Sequence, residues 1–544
     1  MKQLLWAASS AAVLALATPS LAAEAVFTPQ AIQAHVGFLA DDLLEGRGTG
    51  ARGHEIAARY VAAQLTALGL QPAGDNGGWY ETVTLQERSL GPKGASLTVT
   101  GPAGAQSWAN ATEVIVAPSA REAELDLEAP VVFVGFGLDA PSRGFHDYRG
   151  LDVRGKIVAA FDGAPIGTPS EIGAHLAAEK AMMAQAHGAV GYIRLDTLSS
   201  QKRRPWSERA AAGRQPSMTW VDPSGVPETA APKIRVSAIL NSPAAEALFA
   251  RAPHGLAGLM KIADKANGRP RGFALKTKVR IQASSVYRTL KSPAVVGLLR
   301  GADPAPDGEV VVLMAHLDHL GMRPENEGDK IYNGALDNAA GVAVMLEVAH
   351  AFATAPERPK RSVMFIANTA EEMGLLGADY FAHHPSIPIS RIASVIDLDM
   401  PILQYDFTDV VAFGADHSTL GALVAQAAAR MDVKVGPDPM PEQGVFVRSD
   451  HYPFVKQGVP ALLLATGYAN GGQAAWGDYL ANRYHRPNDD LAQPINWAAG
   501  AKFARLNYLI SREIADAPER PQWYAEDFFG DRFAPKASKA QPPR

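Results

Sequence analysis

The clearest hydrophobic pattern lies between Glu309 and Asp399, where short apolar runs end in acidic or imidazole side chains. Residues 310–315 are wholly apolar, β-branched at the start, and stop at His316-Leu317-Asp318-His319-Leu320-Gly321. A run that short with such an ending predicts a buried strand of a parallel sheet. Gly334-Ala335-Leu336-Asp337-Asn338 follows, and then Val342, Met345, Ala349 and Phe352 recur on one helical face. Residues 362–367 predict a second buried strand ending at Glu371-Glu372, and residues 392–396 a third leading into Asp397-Leu398-Asp399. Open α/β sheets build their sites at the carboxyl ends of such strands.

Weaker patterns frame this stretch. Ile56, Tyr60, Val61 and Leu65 predict a helix that stops at Gly69. Residues 95–285 change to short strands and turns, with strands at 131–134, 156–159 and 190–193 and a helix at 177–187. Residues 203–223, rich in Pro and Arg, read as an exposed loop. Beyond Asp399 come a helix at 420–429, a buried strand at 459–465 and a closing helix at 498–514. The end, from Ala534, has little apolar content and reads as a frayed tail.

At 544 residues the chain is long for one core, so a catalytic domain with an insertion is expected. The divisions are a signal peptide at 1–22, an N-terminal part of the catalytic domain at 23–94 and a β-rich insertion at 95–285. The main catalytic part spans 286–520, and a C-terminal tail 521–544. Lys2, an apolar core over 4–17 and Ser20-Leu21-Ala22 fit a cleaved export signal, which places the protein in the periplasm or outside the cell. No later stretch reaches the ~18–20 apolar residues of a spanning helix, so no stable membrane anchor is expected. A net charge of -5 without basic blocks speaks against nucleic-acid partners. With no cysteine, disulfides and thiolate metal ligands are excluded.

Two motifs carry no chemistry. The glycine run from Glu45 to Gly53 lacks both a preceding strand and a following Gly-Lys-Ser/Thr, so it is a structural loop rather than a phosphate cradle. His54-Glu55 opens an HExxH-like string, but Ala58 stands where the second histidine belongs.

The acids and imidazoles at successive strand ends match a metal site made only of nitrogen and oxygen ligands. Such a set suits zinc in a catalytic site with a position open to water, and a shared carboxylate suits two ions. Taken singly, each acid fits a solvated loop or a helix cap equally well, Asp337 before its helix above all. Recurrence at three strand ends favours the site, but the pattern alone does not choose which carboxylates bind.

His316-Leu317-Asp318-His319-Leu320-Gly321, Gly334-Ala335-Leu336-Asp337-Asn338-Ala339-Ala340-Gly341 and Glu371-Glu372-x-Gly374-Leu375-Leu376-Gly377 occur in order, followed by Leu398-Asp399-Met400 and Tyr484-His485-x-Pro487. This series resembles the co-catalytic zinc peptidases of family M28, clan MH, over roughly residues 290–515. Leu44 to Gly50 and the inserted segment resemble members with a protease-associated domain. The resemblance implies the zinc-exopeptidase α/β fold: a mostly parallel central sheet flanked by helices, with an inserted β-rich domain.

It implies two zinc ions, for which Co2+ or Mn2+ can substitute, and peptide substrates. His316 and Asp399 would hold one ion, Glu372 and His485 the other, and Asp337 would bridge them across a cis peptide bond to Asn338. Glu371 would be the general base, Asp318 would orient the His316 imidazole, and Tyr484 would face the developing oxyanion. Leu317, Asp397 and Ala294 depart from the usual tyrosine, asparagine and asparagine, without removing a ligand or the base. His383 and His384 read as surface residues, and His319 and His451 as loop packing. An exported aminopeptidase is the favoured expectation. The alternatives are a carboxypeptidase, a glutaminyl-peptide cyclase, which uses one zinc, or a catalytically dead binding protein, which would show eroded ligands.

Overall fold

Two long strands, β1 (Tyr80–Gly101) and β2 (Phe273–Leu299), run through the molecule and pair antiparallel from Tyr80 opposite Val295 to Thr100 opposite Lys278. The computed structural model describes residues 26–303 and 308–543, so the expected signal peptide at 1–22 lies outside the described residues. The amino-terminal half of β2 pairs with Glu124–Phe133, which opens a parallel series through Ile157–Phe161, Gly191–Leu195 and Val236–Leu240. The carboxyl end of β2 joins a second set of strands. The divisions drawn at 95 and 285 therefore fall inside continuous strands. Composition shifts there while backbone pairing continues, with only a register slip between Ala283 and Ser285.

The second set comprises β3 (Val310–His316), β4 (Ser362–Asn368), β5 (Ile392–Asp397), β6 (Asp409–Phe413), β7 (Lys434–Gly436) and β8 (Ala461–Thr466). In space the order is β7-β6-β8-β5-β3-β4-β2. Strands β8, β5, β3 and β4 are mutually parallel, so their carboxyl ends share one edge. Every residue of β3 is buried, as its unbroken apolar run requires.

Flanking this sheet are α1 (Pro29–Leu39), α2 (Arg52–Ala67), α3 (Ser170–Ala178), α4 (Ala340–Thr354), α5 (His451–Lys456), α6 (Trp497–Asp516) and α7 (Phe528–Phe533). The one-sided apolar face expected for α4 becomes burial nearly all round, because the helix lies among the sheet, α1 and α6. By length and composition residues 335–354 could cross a membrane, contrary to the reading that no later stretch could. Its most apolar 18-residue window is nevertheless 94% buried inside the fold, which marks a core helix.

The loop between α1 and α2 is structural, as its sequence indicates, and its function is to grip the site. Arg47 is fully buried, with a left-handed φ of 49°. Its Nε donates to the Leu317 carbonyl at 2.9 Å, Nη1 to those of Leu39 and Asn333, and Nη2 to that of Gly334 at 3.0 Å. The guanidinium thus ties the loop after β3 to the loop before α4. Burial lowers its pKa to about 10, partly offset by Asp489, Asp337, Asp318 and Glu372, so it stays charged at neutral pH. Gly46 lets the chain pass: a Cβ there would sit 2.4 Å from the Tyr332 carbonyl oxygen.

Residues 521–533, counted with the tail, are packed, whereas 534–543 lie exposed or half-exposed and are tied back through the main chain at Ala540. Trp523 is 2% exposed and donates its indole N–H to the Gly458 carbonyl, and the Ala540 N–H returns to Trp523. Three aromatic residues, Trp523, Phe528 and Phe529, supply the apolar area that the Pro- and Lys-rich end lacks. Likewise residues 217–220, expected in a loop, form a strand beside β1, anchored by Trp220 against Tyr380 and Asp379. His417 joins three segments: Nδ1 lies 2.6 Å from Asp527 at the start of α7, and Nε2 2.9 Å from Glu171 in α3.

Arg47→Met should lower the free energy of unfolding by on the order of 3–5 kcal/mol, because buried carbonyls lose their donors. Urea denaturation reads this, and a loss under about 1 kcal/mol would contradict the tie. His417 titrates near 9: burial opposes its protonation, but Asp527 and Glu171 outweigh burial. Its folded value exceeds the unfolded ~6.5, so its stabilisation is complete below that pH and is lost as pH rises through about 9. In His417→Asn the fall in stability between pH 6.5 and 9.5 should shrink relative to wild type; an unchanged fall refutes the assignment.

Candidate metal centre and substrate cavity

The shared carboxyl edge of β3, β4 and β5 brings the sequence-derived acids together. His316 ends β3, and Glu371-Glu372 and Asp399 lie just past β4 and β5. Asp337 precedes α4, and His485 comes from the loop after Gly472–Asn482. His316 Nε2 lies 3.1 Å from Asp399 Oδ1 and 3.3 Å from Asp337 Oδ1. His485 Nε2 lies 3.1 Å from Glu372 Oε2 and 3.4 Å from Asp337 Oδ2. The two oxygens of Asp337 thus face two separate imidazole–carboxylate pairs. The Asp337–Asn338 bond is cis.

These spacings fit a bound cation. Two ligands at about 2.0–2.1 Å on a tetrahedral zinc stand about 3.3 Å apart, and all four contacts lie within 0.2 Å of that edge. Asp337 Oδ2 is buried without a hydrogen-bond donor, as a ligand atom awaiting an ion would be. Besides Arg47, protons on the imidazoles offset the carboxylates' charge when no cation does. Burial alone would depress both histidines, yet Asp399 and Asp337 push His316 well above the usual imidazole range. Asp337 and Glu372 raise His485 to about 10.

A surrounding network fixes each group. Asp489 accepts the main-chain N–H groups of Leu336 and Asp337 at 3.1 and 3.0 Å and the Tyr479 hydroxyl at 2.9 Å. Ser449 donates to Asp397 or Asp399, both 2.8 Å from its hydroxyl. His451, expected in loop packing, sits behind Asp399 with Nδ1 3.1 Å from Asp397 Oδ2. Asp318 differs from its expected role. Its main-chain carbonyl, 3.0 Å from His316 Nδ1, meets the imidazole. Its carboxylate instead accepts the Thr49 hydroxyl at 2.8 Å and the Glu371 N–H at 3.2 Å. The turn after β3 points that side chain toward Glu371.

Glu371 lines the cavity beside the metal ligands, and burial, reinforced by Asp399, Glu372 and Asp450, raises its pKa well above the carboxylate range. The Tyr484 ring stacks on His485 with centroids 3.8 Å apart. Burial, with Asp337 and Glu372 adding, raises its phenol pKa, so the hydroxyl remains a donor.

His319 is the residue whose place the sequence reading missed. It is fully buried, with Nδ1 2.6 Å from Glu372 Oε1, although it stands only three positions after His316 in the same loop. The cavity above the centre has a volume of about 330 Å³. One wall is apolar, with Met400, Phe413, Leu463, Trp476 and Leu480, and Arg448 lies on its polar side.

Residues 294–510 match peptidase family M28. A probable zinc metalloprotease of Pyrenophora teres f. teres (strain 0-1) is 38% identical over 107 residues, 20% of this chain and 22% of that protein. Aminopeptidase YwaD of Bacillus subtilis (strain 168) is 27% identical over 189 residues, 34% of this chain and 36% of the relative. A solved aminopeptidase from Aneurinibacillus sp. strain AM-1 is 20% identical, with 89% of this chain and 93% of that one covered at a TM-score of 0.49. The chain spans between 7% and 23% of the length of the first three curated relatives it matches.

Proposed function

We propose, from the match of residues 294–510 to peptidase family M28, that this chain is an exported two-zinc aminopeptidase of that family. The observation that carries the reading is the division of Asp337, Oδ1 toward His316 and Asp399, Oδ2 toward His485 and Glu372. Export rests on the pattern of residues 1–22.

Zinc bound there supplies Lewis acidity toward a scissile carbonyl and acidifies water. Glu371, held by the Asp318–N–H contact, accepts a proton and returns it to the departing amine. A carboxyl group whose pKa burial has raised suits that exchange, since it takes up a proton more readily than an ordinary carboxylate. Tyr484, protonated, offers its hydroxyl to negative charge developing on the carbonyl oxygen. Phe413, Leu463 and Trp476 suit a large apolar side chain on the residue removed. Arg448 on the cavity wall favours one other reading, a carboxypeptidase that recognises a terminal carboxylate.

A panel of aminoacyl amides, unblocked and N-acetylated, with and without chelator, separates the two. Cleavage of free-amine leucyl, methionyl or phenylalanyl substrates alone, abolished by chelator, is the expected result. Cleavage confined to blocked substrates with free carboxyl ends overturns the aminopeptidase reading. Glu371→Gln should cut kcat by ~10³-fold or more while leaving zinc content unchanged; lost zinc would make it a ligand instead. Asp337→Ala should deplete both metal positions in elemental analysis, and unchanged stoichiometry would refute the bridge.

A further inference from the structure

His319 is chemically unused by the reading above, yet it touches a metal-binding carboxylate. Its Nδ1 stands 2.6 Å from Glu372 Oε1, while His485 Nε2 stands 3.1 Å from the other oxygen, Oε2. The two contacts are of different kinds. The longer one matches the ~3.3 Å edge between two ligands of one tetrahedral ion, whereas 2.6 Å is too short for such an edge and lies just below the ~2.7–2.9 Å of charge-assisted N–H···O hydrogen bonds. Carboxylate oxygens only accept, so Nδ1 carries the hydrogen. The nitrogen is also 3.9 Å from Asp337 Oδ2, farther than His485.

The ring is held for this one contact. His319 is fully buried, and its main-chain N–H donates to the Arg47 carbonyl at 3.1 Å. Its ring packs against Gly334, where a Cβ would stand 2.6 Å from the imidazole Cγ. Gly334 itself has φ +59°, so a side chain is excluded both by the neighbour and by the backbone. The far nitrogen, Nε2, is buried without a hydrogen-bond partner, so Nδ1 alone among the ring nitrogens makes a hydrogen bond; the ring's edge contact with His485, 5.9 Å between centroids, lies on the same side of the site.

We propose that His319 is a positioning residue that donates from Nδ1 to Glu372 Oε1 and restricts Glu372 to a single-oxygen contact with the cation beside His485. The inference rests on the two-zinc reading. Its consequence is asymmetry: the ion between Glu372 and His485 depends on His319, and the ion between His316 and Asp399 does not. Groups that orient ligands in this way typically change metal affinity ~10–100-fold when removed.

The test titrates Zn2+ into metal-free full-length protein against a chromophoric chelator, for wild type, His319→Ala and His319→Asn. The expected result is two sites in wild type, with one weakened 10–100-fold in His319→Ala and the other shifted less than about three-fold. The amide of Asn supplies a donor at similar reach, so His319→Asn should recover most of the lost affinity. Two sites unchanged in His319→Ala overturn the inference and leave the two-zinc reading intact. Equal weakening of both sites, without rescue by Asn and with a lowered melting temperature of the metal-free protein, assigns the ring to packing and also overturns it. Fewer than two sites in wild type overturn the parent reading, and this inference with it.

Discussion

The structure turns on one carboxylate shared between two imidazoles. Asp337 presents one oxygen to His316 and the other to His485, at 3.3 and 3.4 Å, in a buried pocket that also holds Glu371, Glu372 and Asp399. So many acids packed together repel unless cations or protons sit among them. The surrounding fold opposes that repulsion with fixed donors. Asp489 anchors the main-chain N–H of Asp337, and Arg47 holds the carbonyls of Leu317, Asn333 and Gly334 in the loops that follow His316 and precede Asp337. The parallel sheet is the rigid base, and the buried guanidinium ties the loops to it.

Chemistry and selectivity draw on different parts of the chain. The acids come from strand ends in residues 310–400, where a small shift would disrupt every contact at once. Part of the cavity wall comes from the turns Pro441–Gln443 and Val445–Val447, which α3 supports from behind. The Tyr452 hydroxyl lies 2.5 Å from His175 of α3, and His417 ties the same helix to α7. In such an arrangement the cavity wall can change without moving the acids and imidazoles at the strand ends.

Much of the sheet and most of the site were legible because both are local. Residues 310–315, 362–367 and 392–396 are apolar runs ended by polar residues, and their strands lie within one or two residues of those limits. The acids follow at fixed short distances. What escaped was set by contacts remote in sequence. Arg47 reaches Leu317 and Asn333 across 270 and 286 positions, which no local pattern encodes. His319 looked like loop packing because its partner, Glu372, lies just past β4, 53 positions away. Asp318 was assigned the right neighbour but the wrong group, since a turn decides whether the carbonyl or the carboxylate meets the ring. The tail boundary at 521 was drawn too early, because Trp523, Phe528 and Phe529 pack this stretch onto the fold and only the residues from Ala534 lie exposed.

The most direct test is anomalous diffraction at the zinc edge from crystals of zinc-loaded protein. The expected result is two peaks, one between His316 and Asp399 and one between Glu372 and His485, with an Asp337 oxygen against each. A single peak, or peaks away from Asp337, would contradict the two-cation site and the mechanism built on it.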